Sequence, residues 1–238
     1  MRSALSPPVP VSLPVSGSAE RFFVRRVYCV GRNYADHARE MGNDPDREPP
    51  FFFAKPADAV FAAHEGVPER RVAPNEVPYP PQTTNLHFEM ELVVAVGQGG
   101  SSIRPADALA HVWGYAAGVD LTRRDLQADA KSLRRPWDLA KGFDFSGPCT
   151  ALAPVSAIGH PASARLWLTV DGQPKQVGDL AEQIWAVPDI IAALSRSVTL
   201  LPGDLIFTGT PAGVGAIVTG NVVAGGIDGI GELSFRVV

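Results

Sequence analysis

The sequence is poor in cysteine and in long apolar runs, and each shortage excludes a class of protein. Its two cysteines, Cys29 and Cys149, lie too far apart for a zinc Cys-x-x-Cys cluster and are too few for a disulfide framework, so free thiols in a reducing compartment are expected. No apolar stretch approaches the roughly 18 residues of a membrane helix. Early prolines interrupt any signal-peptide core. The sequence predicts a cytoplasmic protein with no membrane partner.

Charge is also sparse, since only 19% of the residues are charged and the formal net charge is -4. No basic stripe follows the chain, which argues against nucleic acid as a partner. Three common motifs are missing as well: the Gly-x-Ser-x-Gly elbow of serine hydrolases, the Walker A loop, and a complete dinucleotide-binding glycine loop. These absences argue against a serine hydrolase and against the common nucleotide-binding classes.

What the chain does contain is enough apolar material, 45% of 238 residues, for one sizeable core. Residues 1–20 are rich in proline and serine and are predicted to form an extended N-terminal appendage, followed by one catalytic domain over 21–238. Periodicity predicts a strand-dominated mixed α/β fold with few, short helices. Strands are expected over 21–30, 51–54, 89–96, 115–120, 166–170, 203–208 and 231–238, and helices over 34–41, 105–112, 122–133 and 188–195.

Local signals refine these boundaries. Asn33 is expected to cap the first helix, and Gly42 to end it. Thr122 and Asp125 have the spacing of a capping pattern at the start of the third helix. Asp171-Gly172 follows an apolar strand and is typical of a hairpin turn.

Two carboxylates stand out in the predicted strand 89–96. Glu89 and Glu91 are two residues apart, so they lie on one face of a strand, where like charges are unfavourable unless a proton or a cation offsets them. A third acid, Asp120, ends the apolar segment 115–119. Three hard oxygen ligands suit Mg²⁺ or Mn²⁺, whereas zinc prefers histidine and cysteine. From spacing alone, the wet face of an edge strand stays open as the alternative.

Further polar residues follow the same segments. Arg124 and Gln127 share a helix face and could bind a substrate carboxylate and carbonyl, or could form an ordinary solvated face. Lys141 is an isolated cation in an otherwise small and apolar segment. His37 and Glu40 are three apart on a helix, a spacing found in general-base pairs and in surface hydrogen bonds alike. None of these patterns is decisive alone.

The order of these motifs resembles that of the fumarylacetoacetate hydrolase family, over roughly residue 24 to the C-terminus. The segments that carry the resemblance are Val30-Gly31-Arg32-Asn33-Tyr34 with His37 and Glu40, Phe53-Ala54-Lys55-Pro56, Leu86-His87-Phe88-Glu89-Met90-Glu91-Leu92, Tyr115 to Asp120, Arg124-Asp125-x-Gln127, Trp137 to Lys141, and Thr208-Gly209-Thr210-Pro211. Within the family, the chain is most similar to the branch that acts on fumarylpyruvate.

The resemblance implies a β-roll fold, a homodimer, and Mg²⁺ or Mn²⁺ held by Glu89, Glu91 and Asp120. It further implies that His37 and Glu40 activate water and that Lys141 stabilises developing negative charge. The same resemblance implies that the pyruvyl end of a 2-oxo acid substrate is held by Arg124, Gln127 and Thr210.

The expected activity is metal-dependent hydrolysis of a carbon-carbon bond in an acylpyruvate, most simply fumarylpyruvate to fumarate and pyruvate in gentisate-type aromatic catabolism. Two alternatives remain open at this point. One is a decarboxylase or isomerase that acts on oxaloacetate or another 2-oxo dioate with the same metal site. The other is a catalytically silent metal-binding protein.

Overall fold

Strands dominate the structure, a computed structural model that describes residues 9–40 and 49–238. In chain order the strands are β1 (Ser12–Pro14), β2 (Arg21–Phe23), β3 (Arg26–Gly31), β4 (Phe51–Lys55), β5 (Val60–Ala62), β6 (Glu76–Val77), β7 (Leu86–Phe88), β8 (Met90–Val96), β9 (Val112–Val119), β10 (Thr122–Arg123), β11 (Gly147–Cys149), β12 (Ala153–Pro154), β13 (Arg165–Val170), β14 (Gln173–Asp179), β15 (Asp204–Phe207), β16 (Gly215–Ile217), β17 (Val222–Ile227) and β18 (Gly231–Val237).

The α-helices of the described ranges are short: α1 (Ala35–Glu40), α2 (Arg124–Ser132), α3 (Asp138–Lys141), α4 (Val155–Ile158) and α5 (Val187–Ser197). Four 3-10 helices add single turns or little more: Ala57–Ala59, Pro68–Arg70, Pro105–His111 and Leu180–Glu182. The strand-dominated mixed α/β prediction is confirmed. In the described part of the chain, no helix has the length and apolar character needed to cross a membrane.

The largest sheet is mixed and runs in the order β4-β3-β15-β8-β9-β11-β5, with β12 also paired to β9. Strand β8 lies in its interior, antiparallel to β9 on one side and to β15 on the other. Every residue of β8 is buried. Glu89, which directly precedes β8, is buried as well. The alternative that Glu89 and Glu91 lie on the wet face of an edge strand is therefore wrong.

A second sheet, ordered β14-β13-β17-β18-β6, packs its apolar side chains into the same core as β8 and β9. Its hairpin between β13 and β14 turns at Asp171 and Gly172, whose φ angles of 50° and 75° match the predicted tight turn. A third, small sheet is formed by β10, β7 and β16. Strand β7 directly precedes Glu89, and β10 begins two residues after Asp120. The core thus surrounds the strands that carry the candidate site.

The predicted strand 21–30 is two strands, because β2 pairs with β1 whereas β3 pairs with β4 and β15. Of the predicted N-terminal appendage, Ser12–Pro14 is extended as β1 and residues 16–19 form a turn, while Leu13 is buried against residues of the main sheet. The domain boundary at residue 20 stays a prediction, since residues 1–8 lie outside the described ranges.

Both predicted helix caps are wrong, because the polar side chains have other partners. Asn33 donates to Thr208 and Trp185 carbonyls, and its Oδ1 accepts from Trp185 N. Asp125 accepts from Thr83 and from backbone amides, and α2 begins without a side-chain cap at its N-terminus. Gly42, the predicted end of the first helix, lies outside the described residues.

Candidate metal centre and active site

Three buried carboxylates converge where β8 and β9 lie side by side. Glu91 lies in β8, opposite Gly118 of β9, while Glu89 immediately precedes β8 and Asp120 immediately follows β9. The Asp120 amide donates to the Glu89 carbonyl at 2.8 Å, which fixes the two segments together. One carboxylate oxygen from each residue lies within 4.8 Å of the others. These three oxygens form one acidic cluster inside the protein.

Glu89 is neutralised by neighbouring cations. Its Oε1 accepts from Arg124 Nη2 and its Oε2 accepts from Lys141 Nζ at 2.8 Å. Burial raises the pKa of Glu89, but Lys141 and Arg124 outweigh burial and hold that pKa well below its usual range. Glu89 is therefore a carboxylate, anchored at both oxygens.

Glu91 has very different surroundings. It is 1% exposed, and within the described residues its carboxyl group accepts a hydrogen bond from the Gly209 amide at 2.7 Å and forms no ion pair. Burial raises its pKa well above the usual range, and the charges of Asp120 and Glu89 raise it further. Such a group needs either a proton or a further cation.

Asp120 completes the cluster and contacts two lysines. Its Oδ2 accepts from Lys141 Nζ at 2.6 Å, and Lys55 Nζ lies 2.8 Å from its Oδ1 as an ion pair without hydrogen-bond geometry. Lys55 also donates to Ser146 Oγ at 3.0 Å and to the Lys141 carbonyl. No role was assigned to Lys55 from the sequence. The feature that could have indicated one is a lysine at the end of the Phe-rich strand β4.

Lys141 has a pKa that lies above its usual value. Burial lowers this pKa, but the charges of Asp120 and Glu89 outweigh burial. Lys141 is therefore an ammonium donor and not a base. Two of its three N–H bonds go to Glu89 and Asp120, which places the remaining donor capacity beside the acidic cluster.

The donor set of the cluster fits a hard divalent cation. It consists of three carboxylates and no sulfur or imidazole ligand, as Mg²⁺ and Mn²⁺ prefer. Glu91 supplies the deciding observation, because it is a buried carboxyl with no cationic partner among the described side chains. Glu89, Glu91 and Asp120 together could hold such an ion.

His37 and Glu40 lie on α1, at the edge of the same site. His37 is 6% exposed, and its Nδ1 lies 3.4 Å from Glu40 Oε2, which also accepts from the Gly213 amide at 3.3 Å. Burial is the main cause that lowers the pKa of His37, although the nearby Glu89 and Glu40 carboxylates partly offset it. The imidazole is therefore mostly neutral at neutral pH, as a general base must be.

Arg124 and Gln127 share one face of α2, as predicted. Arg124 Nη1 donates to Gln127 Oε1 at 2.6 Å while Nη2 reaches Glu89. This bond orients the amide of Gln127, which is 3% exposed. The solvated-face alternative does not describe these two residues, since both line a pocket beside the acidic cluster.

Thr210 lies in the turn after β15. Its hydroxyl donates to the Met90 carbonyl and accepts from Gln176 Nε2, both at 2.8 Å. The hydroxyl hydrogen is thus already used, so the predicted substrate-binding role of Thr210 stays a prediction. Gly209 adopts a φ of 93°, and that backbone conformation directs its amide at Glu91.

A single pocket of about 400 Å³, its open mouth included, joins these groups. The residues predicted from the sequence that line it are His37, Glu89, Glu91, Arg124, Gln127, Lys141 and Thr210. Asp120 lies behind it in the acidic cluster, and Glu40 contacts it only through His37. Lining residues that sequence reasoning missed include Phe51, Phe53, Trp137 and Lys131. Phe53 and Trp137 lie in segments that carry the family resemblance, but no role was assigned to any of the four from the sequence.

A family model described as "Fumarylacetoacetate (FAA) hydrolase C-terminal" matches residues 26–238. The chain belongs to the fumarylacetoacetate hydrolase family.

Solved structures and curated proteins agree with this assignment. The fumarylpyruvate hydrolase of Pseudomonas aeruginosa, solved with Mn²⁺ and pyruvate, is 53% identical with a TM-score of 0.94, and the match covers 100% of this chain and 99% of that chain. A Burkholderia cenocepacia structure, provisionally named fumarylpyruvate hydrolase, is 59% identical with a TM-score of 0.90 and covers 100% and 98%. The predicted fold of this family is confirmed.

Among curated relatives, the mitochondrial oxaloacetate tautomerase FAHD1 of Rattus norvegicus is 42% identical over 213 residues, which are 90% of this chain and 91% of the relative. Members of the fumarylacetoacetate hydrolase family that resemble this chain therefore carry at least two named activities. Both activities are therefore candidates for the reaction in this pocket.

Proposed function

We propose that the protein is a metal-dependent hydrolase that cleaves fumarylpyruvate to fumarate and pyruvate. The observation that carries the proposal is a buried cluster of Glu89, Glu91 and Asp120 that shares one pocket with a neutral, buried His37. Similarity supports the choice of substrate, because the full-length matches named for fumarylpyruvate are 53% and 59% identical, against 42% for the oxaloacetate tautomerase.

Glu89, Glu91 and Asp120 would hold Mg²⁺ or Mn²⁺, which supplies Lewis-acid polarisation of the 2-oxo acid end of the substrate. Arg124 and Gln127 provide a guanidinium and an amide on one helix face for the carboxylate and carbonyl of that end. Thr210, whose hydroxyl is already engaged, would contribute by shaping this end of the pocket.

His37 is the base in the proposed reaction. It takes a proton from water while the water oxygen bonds to the fumaryl carbonyl carbon, and Glu40 orients the imidazole through Nδ1. Lys141 donates to the oxygen on which negative charge develops. The bond from that carbon to C3 then breaks, its electron pair stays with the pyruvate fragment, and a proton returned from His37 reaches C3.

The test follows the loss of the near-ultraviolet enol absorbance of fumarylpyruvate with Mn²⁺, with Mg²⁺ and after chelation, and identifies the products. We expect metal-dependent formation of fumarate and pyruvate in equal amounts, lost in Glu89→Gln and retained in Lys175→Gln, whose lysine is exposed far from these carboxylates in sequence. No decay with either metal would contradict the proposal.

The second candidate is decarboxylation or isomerisation of oxaloacetate or a related 2-oxo dioate, favoured by the similarity to the oxaloacetate tautomerase. It would use the same metal site without attack by water. The variant His37→Ala separates the two, since it should abolish hydrolysis and spare a reaction that needs no water activation. Oxaloacetate turnover without fumarylpyruvate cleavage in the wild type would favour this candidate.

We further propose a cytoplasmic homodimer that acts in gentisate-type aromatic catabolism. Both cysteines are free and buried, in keeping with a reducing compartment. Light scattering of the purified full chain checks the dimer, and growth of the source organism on gentisate after deletion of the gene checks the role in catabolism.

A further inference from the structure

Lys131 lies in the wall of the active-site pocket and has no anionic partner among the described residues. It lies near the C-terminal end of α2, is half-buried, and lines the pocket together with Trp137. Its ammonium lies 5.2 Å from the centre of the Trp137 ring. No ion pair joins Lys131 to a carboxylate anywhere in the described ranges. A half-buried ammonium of this kind is a candidate binding site for an anion.

The position of Lys131 on α2 relates it to the groups proposed to hold the pyruvyl end. Arg124, Gln127 and Lys131 are spaced by three and four residues, so they form one stripe along the helix. Arg124 is at the end near the acidic cluster, where it contacts Glu89. The helix rises about 1.5 Å per residue, which places Lys131 about 10.5 Å further along the stripe.

The local charges favour an anion beside Lys131. Burial lowers the pKa of its ammonium, and the positive charges of Arg124 and Arg32 lower it further, with only Glu89 acting in the opposite direction among the larger charges. Arg32 lines the same pocket, its guanidinium 5.2 Å from the centre of the Phe51 ring. Arg124 is already paired with Glu89, whereas no described carboxylate forms an ion pair with Lys131, and a half-buried ammonium of this kind favours a bound anion.

We propose that Lys131 binds the second carboxylate of an extended 2-oxo dioate and thereby selects this class over 2-oxo acids with an uncharged acyl end. The inference rests on the proposed function, in which Arg124 and Gln127 hold the first carboxylate. Phe51 and Trp137 line the pocket and offer apolar contacts to the carbon chain between the two ends.

Substrate length agrees with this assignment. In a seven-carbon dioate, six carbon-carbon bonds of about 1.5 Å, each advancing about 1.25 Å along an extended chain, separate the terminal carbons by about 7.5 Å. The carboxylate oxygens and the long side chains of Arg124 and Lys131 add to this distance. The dioate can therefore span the separation of the two residues along α2. Oxaloacetate, with three such bonds and about 4 Å between its ends, is too short to contact both Arg124 and Lys131.

The first test compares fumarylpyruvate with acetylpyruvate, which has the same pyruvyl end and no second carboxylate. We expect Lys131→Gln to reduce the ratio of kcat/KM for fumarylpyruvate to that for acetylpyruvate by about tenfold or more, through KM. Lys131→Arg should restore part of the ratio because it restores the charge. Lys175→Gln, a matched change at an exposed lysine, should leave the ratio at the wild-type value.

A binding measurement is independent of turnover and separates the two proposals. Titration calorimetry with the Mn²⁺-loaded protein compares 2-oxoheptanedioate with 2-oxoheptanoate, which differ only in the terminal carboxylate. The wild type should prefer the dioate, and Lys131→Gln should lose that preference. An unchanged preference in Lys131→Gln would overturn the role of Lys131, whereas absence of acylpyruvate cleavage with the preference intact would overturn the proposed function alone.

Discussion

At the scale of single residues, the two glutamates of the acidic cluster illustrate what a sequence pattern can and cannot predict. Their spacing of two predicted that Glu89 and Glu91 converge, and both lie within one cluster with Asp120. The spacing could not predict that Arg124 and Lys141 neutralise Glu89 while Glu91 has a backbone amide alone. Those partners come from α2 and α3, and tertiary packing decides their position.

Other residues of the site were beyond sequence reasoning for the same reason. Lys55 lies 65 residues before Asp120 in the chain, yet the two side chains form a buried ion pair because β4 packs against this region. Gly209 entered the sequence analysis only as part of the segment Thr208-Gly209-Thr210-Pro211, whereas its amide donates to Glu91 in the structure. A lysine or glycine acquires such a role only when distant segments meet.

His37 provides a prediction about pH. Its pKa is lowered mainly by burial, and a base works in its neutral form, so activity is present above this pKa and lost as pH falls through it. We expect the acid limb of kcat/KM to lie below the usual histidine value of about 6.5. At pH 6.5 the enzyme should therefore keep more than half of its plateau rate, measured at saturating Mn²⁺.

The variant Glu40→Gln gives this prediction a control with a definite sign. Glu40 raises the pKa of His37 by its hydrogen bond and by its charge, so its neutralisation should move the acid limb to still lower pH. The plateau should fall as well, because the imidazole is less well oriented. An acid limb above about 6.5, or a shift in the other direction, would assign the base to another group.

At the scale of secondary-structure elements, long apolar strands were predictable and their ends were not. Strands β8, β9, β15 and β18 begin and end within three residues of the predicted ranges, because apolar residues run almost continuously through β8, β9 and β15 and alternate with polar ones in β18. Helix starts were less predictable. Asn33 and Asp125 have side chains suited to capping, but both bond to distant segments, a choice that local sequence does not contain.

Asn33 therefore supports a prediction about how elements are joined. It is fully buried, and its amide links the start of α1 to the end of β15 and to the backbone of Trp185 through bonds of 2.7 to 2.9 Å. Asn33→Ala leaves these backbone groups without partners inside the protein, so the free energy of unfolding should fall by about 3 kcal/mol. Urea denaturation measures this loss.

Asn221→Ala is the matched control. Asn221 accepts from the Val218 amide and donates to Asp171, but at the surface, where water can replace both partners. Its loss should cost less than about 1 kcal/mol. Since α1 carries His37, Asn33→Ala should also lower kcat, and equal losses of stability in the two variants would contradict the buried linkage.

At the scale of the whole molecule, the strand-dominated α/β class and the hairpin at Asp171 followed from periodicity and turn chemistry, and the β-roll followed from the resemblance alone. The strand order did not follow from either. Strand β15 pairs with β3 in parallel across more than 170 residues of chain, and no local pattern specifies such a pairing. Strand β15 also pairs with β8 on the side opposite β9, and this second long-range pairing places β8 in the interior of the sheet, next to the acidic cluster.

Burial of that cluster makes the stability of the whole fold depend on the cation. An ion that binds only the native protein stabilises it by about 2.7 kcal/mol at 100 times its Kd, which corresponds to a rise in Tm of about 5 to 10 °C for a domain of this size. We expect that rise on addition of Mn²⁺ to chelated protein, measured by calorimetry. Glu91→Gln and Glu89→Gln should both abolish it.

The same two variants should differ in the absence of metal, and this difference tests the electrostatics of the cluster. Glu91 is a buried carboxyl without an ion pair to any described residue, so its neutralisation should leave the Tm of the metal-free protein unchanged or raise it. Glu89→Gln removes the carboxylate of Arg124 and one of the two carboxylates of Lys141, and should lower that Tm, because breaking a buried pair from one side costs about 3 to 5 kcal/mol. If instead Glu91→Gln were the more destabilising of the two, Glu91 would have to be a structural carboxylate of the metal-free fold, and its assignment as a metal ligand would lose its physical basis.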